Sequence, residues 1–487
     1  MTYGMSLRML LEGWLAEPPD IAVAGLDLDS RTVEAGHAFV AVEGGQGHGL
    51  DHVAQAIERG CVAVIHDGKR GDPDLEVPSV AVPGLAKRLG ELACRFWAAP
   101  SDLLTIAGVT GTNGKTSVAH FLAQSWQRAY GNSGLVGTLG YGSFDHLQRA
   151  DRTTPDVLRL NEILARCLDD GVERVAMEVS SHALEQGRVQ TVQFDAAVFT
   201  NLSRDHLDYH RDMEAYAASK KRLFTEFAPR FAIINRDDLT GRGWIGELGG
   251  DTQVLSYGLA PGAELGAEIL GTDADGMYVR VAGPWGKSEF RTGLLGAFNV
   301  SNLLAAAGTL SLLGMPWNEV VAELEMMSPV PGRMLRLGGE PGQPVVVIDY
   351  AHTPDALAHA LQAVRAHLSG RLVCVFGCGG NRDRGKRPEM GRAAECEADQ
   401  LVITSDNPRF ESVNSIINDV LGGVGSRDKV IVEPDRAAAI TRAISESGPG
   451  DIVLVAGKGH ETWQEVAGQK LPFSDEAVVR AALELAA

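Results

Sequence analysis

The sequence has no apolar run that approaches the roughly 20 consecutive residues that a helix needs to span a bilayer. Its first twenty residues also lack the basic start, the long apolar centre and the small-residue cleavage site of a secretory signal peptide. We therefore expect a soluble, cytoplasmic protein.

Positive charge is scarce relative to negative charge. The chain has 44 lysine and arginine residues against 63 aspartate and glutamate residues, a formal net charge of −19 with histidine neutral. A nucleic acid or an anionic membrane surface requires a basic footprint on its partner. The charge balance therefore argues against a general nucleic-acid-binding protein and against adsorption to such a membrane.

Cysteine is also rare, and its spacing is not that of a paired metal site or a disulfide framework. The two closest cysteines lie on an apolar run that predicts a strand. We predict that all six are buried free thiols: Cys61, Cys94, Cys167, Cys374, Cys378 and Cys396.

The rest of the composition is that of a globular protein, because 45% apolar and 22% charged residues exclude a disordered chain. At roughly 150 residues per domain, 487 residues predict about three domains. A change in pattern near Pro100 and the proline-containing segment MMSPVPGRM suggest the boundaries 1–100, 101–331 and 332–487. The glycine-rich residues 246–292 predict a β insertion in the second domain.

One pattern recurs through the second and third segments: a continuous apolar run, a polar or glycine-rich turn, then a helical stretch. Such runs are typical of strands buried on both faces of a parallel sheet, and their alternation with helices predicts doubly wound α/β layers. Ligands of such sheets bind at the carboxyl ends of the strands, where most of the polar motifs fall. Helical spacing after the first glycine-rich turn predicts one buried apolar stripe, formed by Val118, Phe121, Leu122 and Trp126.

The segment GVTGTNGKTS at 108–117 carries the strongest chemical signal. Gly111 and Gly114 allow a tight turn whose amides face phosphates, Lys115 can reach the β and γ oxygens, and the Thr116 hydroxyl can ligate Mg²⁺. The strict P-loop motif also requires a glycine five residues before Gly114, where this chain has valine. A plain strand–turn–helix corner is the alternative, but the glycines, lysine and threonine in this context favour a nucleotide-binding loop.

Two further strand ends carry groups that suit Mg²⁺. Glu178 in VAMEVSSH and His206 in NLSRDHLDYH each follow a buried apolar run. The second segment also contains Asp205, Asp208 and His210, so spacing alone does not select the ligand. Lys220 and Lys221, by their position alone, are no more than an exposed basic turn.

Three loops of the last segment combine charges suited to an amino acid. GCGGNRDRGKRP at 377–388 has four basic residues and one acid, which predicts an anion site. SDNPRFE at 405–411 and GKGHE at 457–461 add carboxylates, an amide and a guanidinium, a set that could bind a zwitterion. We expect all three loops at one carboxyl edge of a sheet.

Taken together, these motifs resemble those of the Mur ligases, ATP-dependent amino-acid ligases of bacterial cell-wall synthesis. The resemblance covers nearly the whole chain, more loosely at its N-terminal end, where it depends on LDSR and GGQGHG. The motifs follow the family's order: GTNGKT, MEVSSHAL, FTNLSRDHLDYH, GAFNVSNLLAA, DYAHTPDAL, GCGGNRDRGKRP, DNPR and GKGHE.

The resemblance implies an N-terminal uridine-nucleotide domain, a central P-loop ATPase and a C-terminal Rossmann-like domain. It implies that ATP phosphorylates a D-glutamyl carboxylate and that an amine then attacks the acyl phosphate through a tetrahedral intermediate. The implied ATP contacts are Gly111, Thr112, Asn113, Gly114, Lys115, Thr116, Asn299 (adenine), Arg333 (phosphates), Asp349 (ribose) and His352 (a further phosphate contact). The implied Mg²⁺ ligands are Thr116, Glu178, His206 and Lys220, the last as a carbamate formed with CO₂. The residues expected to be catalytic are Lys115, Glu178, His206 and Lys220.

The resemblance also implies three substrate sites. Uridine-nucleotide contacts are expected from Leu28, Ser30, Gly45, Gln46 and Gly47. Contacts to the muramoyl dipeptide are expected from Thr153, Thr154, Ser180, Gln186 and Arg188. The amino-acid pocket is expected to contain Arg382, Asp406, Asn407, Pro408, Arg409, Gly457 and Glu461.

Arg409 decides which amino acid we expect. Diaminopimelate differs from lysine by a second amino-carboxylate head, and a guanidinium can pair that extra carboxylate with two hydrogen bonds. Lysine-adding relatives have a small residue after DNP. DNPR therefore points to meso-diaminopimelate, added to UDP-N-acetylmuramoyl-L-alanyl-D-glutamate by a monomeric enzyme.

Three alternatives remain open at this stage. One is a lysine-adding Mur ligase, and another is a folylpolyglutamate synthetase that shares the GTNGKT loop. A third, from a different class, is a nucleotide-binding regulator without turnover, which intact Lys115, Glu178, His206 and Lys220 disfavour.

Overall fold

Continuous apolar runs and glycine-rich turns give three main sheets in this computed structural model, which describes residues 4–45, 47–71, 73–150, 152–207 and 209–486. Internal contacts divide the chain into two compact units. One contains residues 1–257 and 308–315, and the other contains residues 258–307 and 316–487.

The N-terminal part of the first unit has short strands and three helices. They are β1 (Met5–Ser6), α1 (Leu7–Leu10), β2 (Ala22–Val23), β3 (Gly25–Asp27), β4 (His37–Ala41), β5 (Glu43–Gly44), β6 (Gly47–His48), α2 (Val53–Glu58), β7 (Ala63–His66), β8 (Ser79–Ala81) and α3 (Leu85–Trp97). The main sheet has the order β3-β4-β7-β8 with all strands parallel. Its core extends to the buried residues Val157, Leu158 and Ala165 that follow later in the chain.

The remainder of the first unit is the sheet that carries the glycine loop. Its elements are β9 (Thr105–Thr110), α4 (Lys115–Tyr130), β10 (Gly134–Gly137), β11 (Gly140–Ser143), α5 (Val157–Asp169), β12 (Arg174–Glu178), α6 (Ser181–Glu185), β13 (Ala196–Phe199), α7 (Met213–Thr225), β14 (Phe231–Asn235), α8 (Leu239–Ile245) and β15 (Gln253–Gly258). The strand order is β11-β10-β12-β9-β13-β14-β15, and only β11 is antiparallel to its neighbour.

The predicted apolar stripe of α4 is buried, but it is not the whole buried surface. All nine residues 118–126 are buried, including His120, Gln124 and Ser125. The helix is therefore enclosed around its circumference in this stretch, rather than amphipathic as the spacing of its apolar residues predicts.

The second unit begins with an antiparallel meander. Its first elements are β16 (Leu265–Asp273), β17 (Gly276–Gly283), β18 (Gly286–Thr292), α9 (Ala297–Leu312) and α10 (Trp317–Glu325). Residues 308–315, which include the end of α9, are assigned to the first unit. Extended strands thus occupy much of the segment 246–292, where we predicted β structure.

A six-stranded sheet forms the rest of the second unit. Its elements are β19 (Leu335–Gly338), β20 (Val345–Asp349), α11 (Pro354–Arg365), β21 (Leu372–Phe376), α12 (Lys386–Glu397), β22 (Gln400–Ile403), α13 (Val413–Leu421), β23 (Val430–Val432), α14 (Arg436–Ser445), β24 (Ile452–Ala456), β25 (Trp463–Val466), β26 (Gln469–Pro472) and α15 (Asp475–Ala486). The order is β19-β20-β24-β21-β22-β23, with β19 antiparallel and the other neighbours parallel. Short 3₁₀ helices occur at Gly49–His52, Pro100–Leu103, Phe144–His146 and Arg427–Lys429.

Alternate side chains of β20 pack into two different hydrophobic clusters, one on each face of the sheet. Val345 and Val347 pack in one cluster, whereas Val346 and Ile348 pack in the cluster on the opposite face. A strand covered by helices on both faces must be apolar at every position. The predicted doubly wound, mostly parallel α/β fold is therefore confirmed.

The cysteine prediction is correct only in part. All six cysteines are free, and four are buried, but Cys94 is half-buried and Cys396 is exposed. Cys396 lies near the end of α12, on a helix whose buried residues are Arg387, Met390, Gly391 and Ala394. In the part of the chain that the structure describes, no helix is both long and apolar enough to cross a bilayer.

Candidate functional site

The glycine loop lies at the centre of its sheet. β9 leads into the loop, and its two neighbours are β12 and β13. Glu178, the last residue of β12, is in register with Val109, while Phe199 at the end of β13 is in register with Thr110. Since all three strands are parallel, the polar segments that follow them emerge at one edge.

Close contact with the end of β13 fixes the shape of the loop. Gly111 has φ +149°, and a Cβ placed there would lie 1.9 Å from Oγ1 of Thr200. The amides of Thr112 and Asn113 donate to the carbonyl and side-chain oxygens of Asn201 at 2.8 and 2.9 Å. Only glycine fits at 111, and the first two amides after it are directed at Asn201.

Two lysines share one carbonyl oxygen of this loop. Nζ of Lys115 donates to the Gly111 carbonyl at 2.9 Å and to the Thr112 carbonyl at 2.8 Å. Nζ of Lys220, from α7, donates to the same Gly111 carbonyl at 2.8 Å. Lys220 is 1% exposed. Burial, and then the positive charge of Lys115, hold the pKa of the Lys220 amine well below its ordinary range.

Tyr216, which the sequence analysis did not single out as a site residue, connects several of these groups. Nζ of Lys220 lies 4.4 Å from the centre of its ring, and its hydroxyl is 3.3 Å from Oγ1 of Thr112. Burial raises the pKa of Tyr216 to about 12. The residue precedes Lys220 by one helical turn, so an i, i+4 search from the lysine would have found it.

Glu178 and Thr116, both implied Mg²⁺ ligands, are in direct contact. Oε2 of Glu178 accepts from Oγ1 of Thr116 at 2.9 Å, and Oε1 accepts from the amide of Thr138 at 2.7 Å. The carboxylate is buried, with 2% of the residue exposed. A hydroxyl and a carboxylate oxygen this close are hard donors of the kind that Mg²⁺ prefers.

His206 lies in the loop after β13, in a left-handed backbone conformation with φ +54°. Its ring centre is 6.1 Å from that of Tyr216, and its Nε2 is 3.5 Å from a carboxylate oxygen of Asp205. His210 is buried, with Nε2 2.9 Å from Oγ of Ser181. Asp208 lies outside the described residues. Geometry thus makes His206 the more accessible of the two histidines for a ligand.

The residues expected at the muramoyl dipeptide gather beyond β12. Oγ1 of Thr154 donates to the carbonyl of Glu178 at 2.8 Å, and Nη1 of Arg188 donates to the Thr154 carbonyl at 2.9 Å. Nε of Arg188 also donates to the Gln186 side chain at 2.9 Å. Ser180 caps α6 by accepting from Ala183. Oγ1 of Thr138, which touches Glu178, also donates to Thr153 at 3.3 Å. All five predicted residues therefore lie next to the Thr116–Glu178 pair or to one another.

The uridine-nucleotide residues are less closely grouped. Oγ of Ser30 donates to the side chain of Gln55 at 2.7 Å, and Leu28 packs on the N-terminal core. Gly45 and Gly47 belong to the β5–β6 turn, where Gly44 pairs with Gly47. Gln46 lies outside the described residues.

Three of the four further nucleotide residues surround Tyr350 in the second unit. The Arg333 guanidinium lies 4.7 Å from the centre of the Tyr350 ring, and the His352 ring centre is also 4.7 Å from it. Both carboxylate oxygens of Asp349 accept backbone amides, from Met334 at 2.9 Å and Ala351 at 2.8 Å. Burial raises the pKa of Asp349.

Asn299 is the fourth of these residues and lies on α9, where it is buried. Its Nδ2 donates to the Leu295 carbonyl of the preceding turn at 2.9 Å. Its Oδ1 accepts from the side chain of Asn302 at 3.3 Å.

The loops after β22 and β24 form one hydrogen-bonded cluster. Gly457 has φ +115°, and a Cβ placed there would lie 2.7 Å from Oδ2 of Asp406. Nδ2 of Asn407 donates to Oε2 of Glu461 at 2.9 Å. Lys458, which is fully buried, donates to that same oxygen at 2.8 Å and to Oδ1 of Asn407 at 3.2 Å. Four of the seven predicted amino-acid residues are thus brought together, and Lys458 lies between Asn407 and Glu461.

Another buried cation, missed from the sequence, holds the bases of these two loops. Arg436 donates to the carbonyls of Ser405 and Ala456 at 3.2 and 3.0 Å and pairs with the buried Asp475 at 2.7 Å. Its position at the start of α14 carries no sequence signal for this role, because the acceptors are backbone carbonyls and a carboxylate 39 residues away.

The predicted anion site at 377–388 is wrong for two of its four cations. Arg387 is fully buried and pairs with Glu411 at 2.9 Å and Asp419 at 2.8 Å. Arg384 pairs with Asp419 at 3.0 Å, and Lys386 donates to the His352 carbonyl at 2.9 Å. The prediction considered only the charges within residues 377–388. It did not include Glu411, in the loop before α13, and Asp419, on α13, which pair with these cations. Arg382 remains exposed.

Comparisons with known proteins identify the family of this chain. Three family models match: "Mur ligase family, catalytic domain" at residues 22–97, "Mur ligase middle domain" at 109–310, and "Mur ligase, glutamate ligase domain" at 332–459. Two relatives share the name UDP-N-acetylmuramoyl-L-alanyl-D-glutamate–2,6-diaminopimelate ligase. The protein from Xylella fastidiosa is 47% identical over 98% of this chain and 97% of its own length. The protein from Alkalilimnicola ehrlichii is 48% identical over 98% of each.

Solved structures give the same result. A structure of UDP-N-acetylmuramoyl-L-alanyl-D-glutamate–2,6-diaminopimelate ligase is 35% identical, with a TM-score of 0.72 over 100% of this chain and 99% of that one. The MurF ligase from Thermotoga maritima in complex with ADP shares the fold at 17% identity, with a TM-score of 0.67 over 95% and 97% of the two chains. Since the relatives match this chain from end to end at nearly half identity, the protein belongs to the Mur ligase family.

Proposed function

We propose that this protein uses ATP to join meso-diaminopimelate to UDP-N-acetylmuramoyl-L-alanyl-D-glutamate, in the cytoplasm and as a monomer. The proposed domains are residues 1–100 for the uridine nucleotide, 101–331 for ATP and 332–487 for the amino acid. The choice of diaminopimelate depends on the Arg409 guanidinium, in a cluster of loops that also contains the carboxylates of Asp406 and Glu461. Carboxylates suit the ammonium groups of the amino acid, and the guanidinium suits its second carboxylate.

The reaction has two steps. The D-glutamyl carboxylate attacks the γ-phosphorus of ATP, which forms an acyl phosphate and releases ADP. The amine of diaminopimelate then attacks the acyl carbon, and the tetrahedral intermediate expels phosphate and leaves an amide. A carboxylate is a poor electrophile, so phosphorylation supplies the leaving group that the second step needs.

The glycine loop is proposed to hold the phosphates of ATP. Because the amides of Thr112 and Asn113 donate to Asn201, we assign these two residues to shaping the loop and the amides of Gly114, Lys115 and Thr116 to phosphate oxygens. Nζ of Lys115 would exchange its two carbonyl acceptors for phosphate oxygens. Asn299, Arg333, Asp349 and His352 are the nucleotide residues proposed in the second unit.

The oxygen donors of Thr116 and Glu178, 2.9 Å apart, support a proposed Mg²⁺ site beside the loop. Thr116, Glu178, His206 and Lys220 as a carbamate are the residues proposed to hold it. Bound there, the cation would offset the repulsion between two anionic reactants. Lys220 supports this assignment, because a buried amine whose pKa is well below its ordinary range is the neutral nucleophile that CO₂ requires. The neutral amine nitrogen would bond to the carbon of CO₂ and release one proton, so the side chain would become an anion with oxygen donors.

The remaining residues are assigned to the three substrate sites that the family resemblance implies. Leu28, Ser30, Gly45, Gln46 and Gly47 are proposed for the uridine nucleotide. Thr153, Thr154, Ser180, Gln186 and Arg188 are proposed for the dipeptide, whose carboxylate they would bring towards the Glu178 end of β12. Arg382, Asp406, Asn407, Pro408, Arg409, Gly457 and Glu461 are proposed for diaminopimelate.

One experiment tests the proposed function. Phosphate release is measured with ATP, Mg²⁺, the UDP-muramoyl dipeptide and either meso-diaminopimelate or L-lysine. We expect turnover with diaminopimelate and little with lysine, and the Lys115→Ala variant, as the control for contaminating ATPase activity, should release no phosphate above background. Turnover with lysine alone would contradict the specificity, and no turnover with either would favour a non-catalytic nucleotide-binding protein.

A further inference from the structure

The hairpin β25–β26 is bonded to the loop that carries Arg409. The amide of Arg409 donates to the Glu465 carbonyl at 3.0 Å, and the amide of Ala467 donates to the Arg409 carbonyl at 2.7 Å. Through these bonds Arg409 and Val466 form an isolated parallel β-bridge. Nε2 of Gln464 adds a bond to Oγ of Ser405 at 2.9 Å. The loop is thus held by the hairpin as well as by its own sheet.

The same hairpin controls the Arg409 side chain. Nε of Arg409 donates to Oε2 of Glu465 at 3.0 Å, and Nη1 donates to the Gly380 carbonyl at 2.9 Å. The two side chains are only 18% and 22% exposed. Arg409 also has φ +52°, a left-handed backbone conformation that directs a side chain differently from an extended residue. Two of the three guanidinium nitrogens are therefore fixed.

The third nitrogen, Nη2, donates to no acceptor within the described part of the chain. A guanidinium held at Nε and Nη1 can turn only at the cost of an ion pair and a hydrogen bond. Its Nη2 protons are thus oriented before a ligand arrives, and preorganisation of this kind lowers the cost of ordering on binding. A carboxylate oxygen can accept a charge-assisted hydrogen bond from an N–H group that is oriented in this way.

We propose that Glu465 is a positioning residue for Arg409 and so sets the preference of the pocket for an amino acid with a second carboxylate. This inference depends on the proposed function, since it concerns how the same pocket recognises diaminopimelate. Glu465 acts through the guanidinium and does not itself touch the substrate. Its effect should therefore appear in the recognition of diaminopimelate and not in the use of ATP.

The test compares Glu465→Ala, Glu465→Gln and Gln469→Ala in the wild-type background. Glu465→Ala should raise the KM for meso-diaminopimelate about tenfold, while kcat and the KM for ATP stay within about twofold of wild type. Glu465→Gln keeps an acceptor for Nε and should recover most of the lost affinity. Gln469→Ala changes an exposed residue of the same hairpin and should behave as wild type.

A double-mutant cycle completes the test. Adding Glu465→Ala to Arg409→Ala should cause no further rise in the KM for diaminopimelate, because the group that Glu465 positions is gone. A full additional tenfold rise would overturn the proposal. So would a lower KM in Glu465→Ala alone, since the carboxylate would then be a competitor of the substrate. A wild-type protein that turns over lysine but not diaminopimelate would overturn the proposed function and this inference together, and that result is visible before any variant is made.

Discussion

Lys220 has the most unusual environment of the side chains near the glycine loop. An amine that is 1% exposed, bonded to a backbone carbonyl and close to Lys115 has little to stabilise its charge. Desolvation and a neighbouring cation both disfavour the protonated form. Lys221, the next residue, instead pairs with Glu247 near the surface. The sequence KK alone does not distinguish these two environments.

Lys220→Ala should reduce kcat by a hundredfold or more, on the order of what the loss of a group supporting a metal site costs. A small carboxylate such as acetate should restore part of the activity, because it can occupy the space of the carbamate. Steady-state phosphate release with and without acetate measures both effects. The matched control is Lys221→Ala, which should retain its activity. Full activity of Lys220→Ala without acetate would eliminate the carbamate.

At the scale of elements, the strand order of each sheet places the loops of the proposed sites side by side, although those loops are distant in sequence. β9, β12 and β13 are neighbours in the first unit, and β20, β24, β21 and β22 are neighbours in the second. Their carboxyl ends bring segments that are distant in sequence into contact, as in the bond between Asn113 and Asn201, which are 88 residues apart. The glycine at 111 is required because the loop after β9 approaches the end of β13 more closely than any side chain permits.

Gly111→Ala tests this close approach. A Cβ there would clash with Thr200 in addition to the strained φ, so we expect a raised KM for ATP and a loss of about 1–3 kcal/mol in the free energy of unfolding. Denaturant unfolding and ATP titration of initial rates measure the two effects. Gly131→Ala is the matched control, because Gly131 also has a positive φ, +82°, but a Cβ placed there would meet nothing within 4 Å. An equal rise in the KM for ATP in both variants would contradict the steric explanation.

At the scale of the whole molecule, a chain of net charge −19 is proposed to bind substrates that carry several phosphates and carboxylates. Net charge does not describe the sites, because binding depends on the few charged side chains that line each site. Many of those cations are neutralised internally, as Arg387 and Arg436 are by buried or half-buried carboxylates. The cations proposed to contact ligands are a small set that includes Lys115, Arg333 and Arg409.

The cysteines give a prediction at this scale. In the native protein, a thiol reagent should modify Cys396 rapidly and Cys94 slowly, and should reach the other four thiols only after unfolding. Burial also raises the pKa of Cys167 and of Cys378 to about 12, which leaves little reactive thiolate at neutral pH. Timed labelling followed by peptide mass analysis identifies the sites. Cys396→Ser should remove the fast phase, and a fast phase that persists would contradict the burial pattern.

The sequence by itself determined the fold class and the positions of the strand-end motifs. These features depend on local patterns, namely continuous apolar runs, glycine spacing and the residues that follow each strand. Only the tertiary structure decided which charged side chains are already paired, that Cys396 is exposed, and that Tyr216, Lys458, Arg436 and Glu465 support the sites. Burial and ion pairing depend on partners that are distant in sequence, as Asp475 is from Arg436, and a linear pattern does not contain those distances.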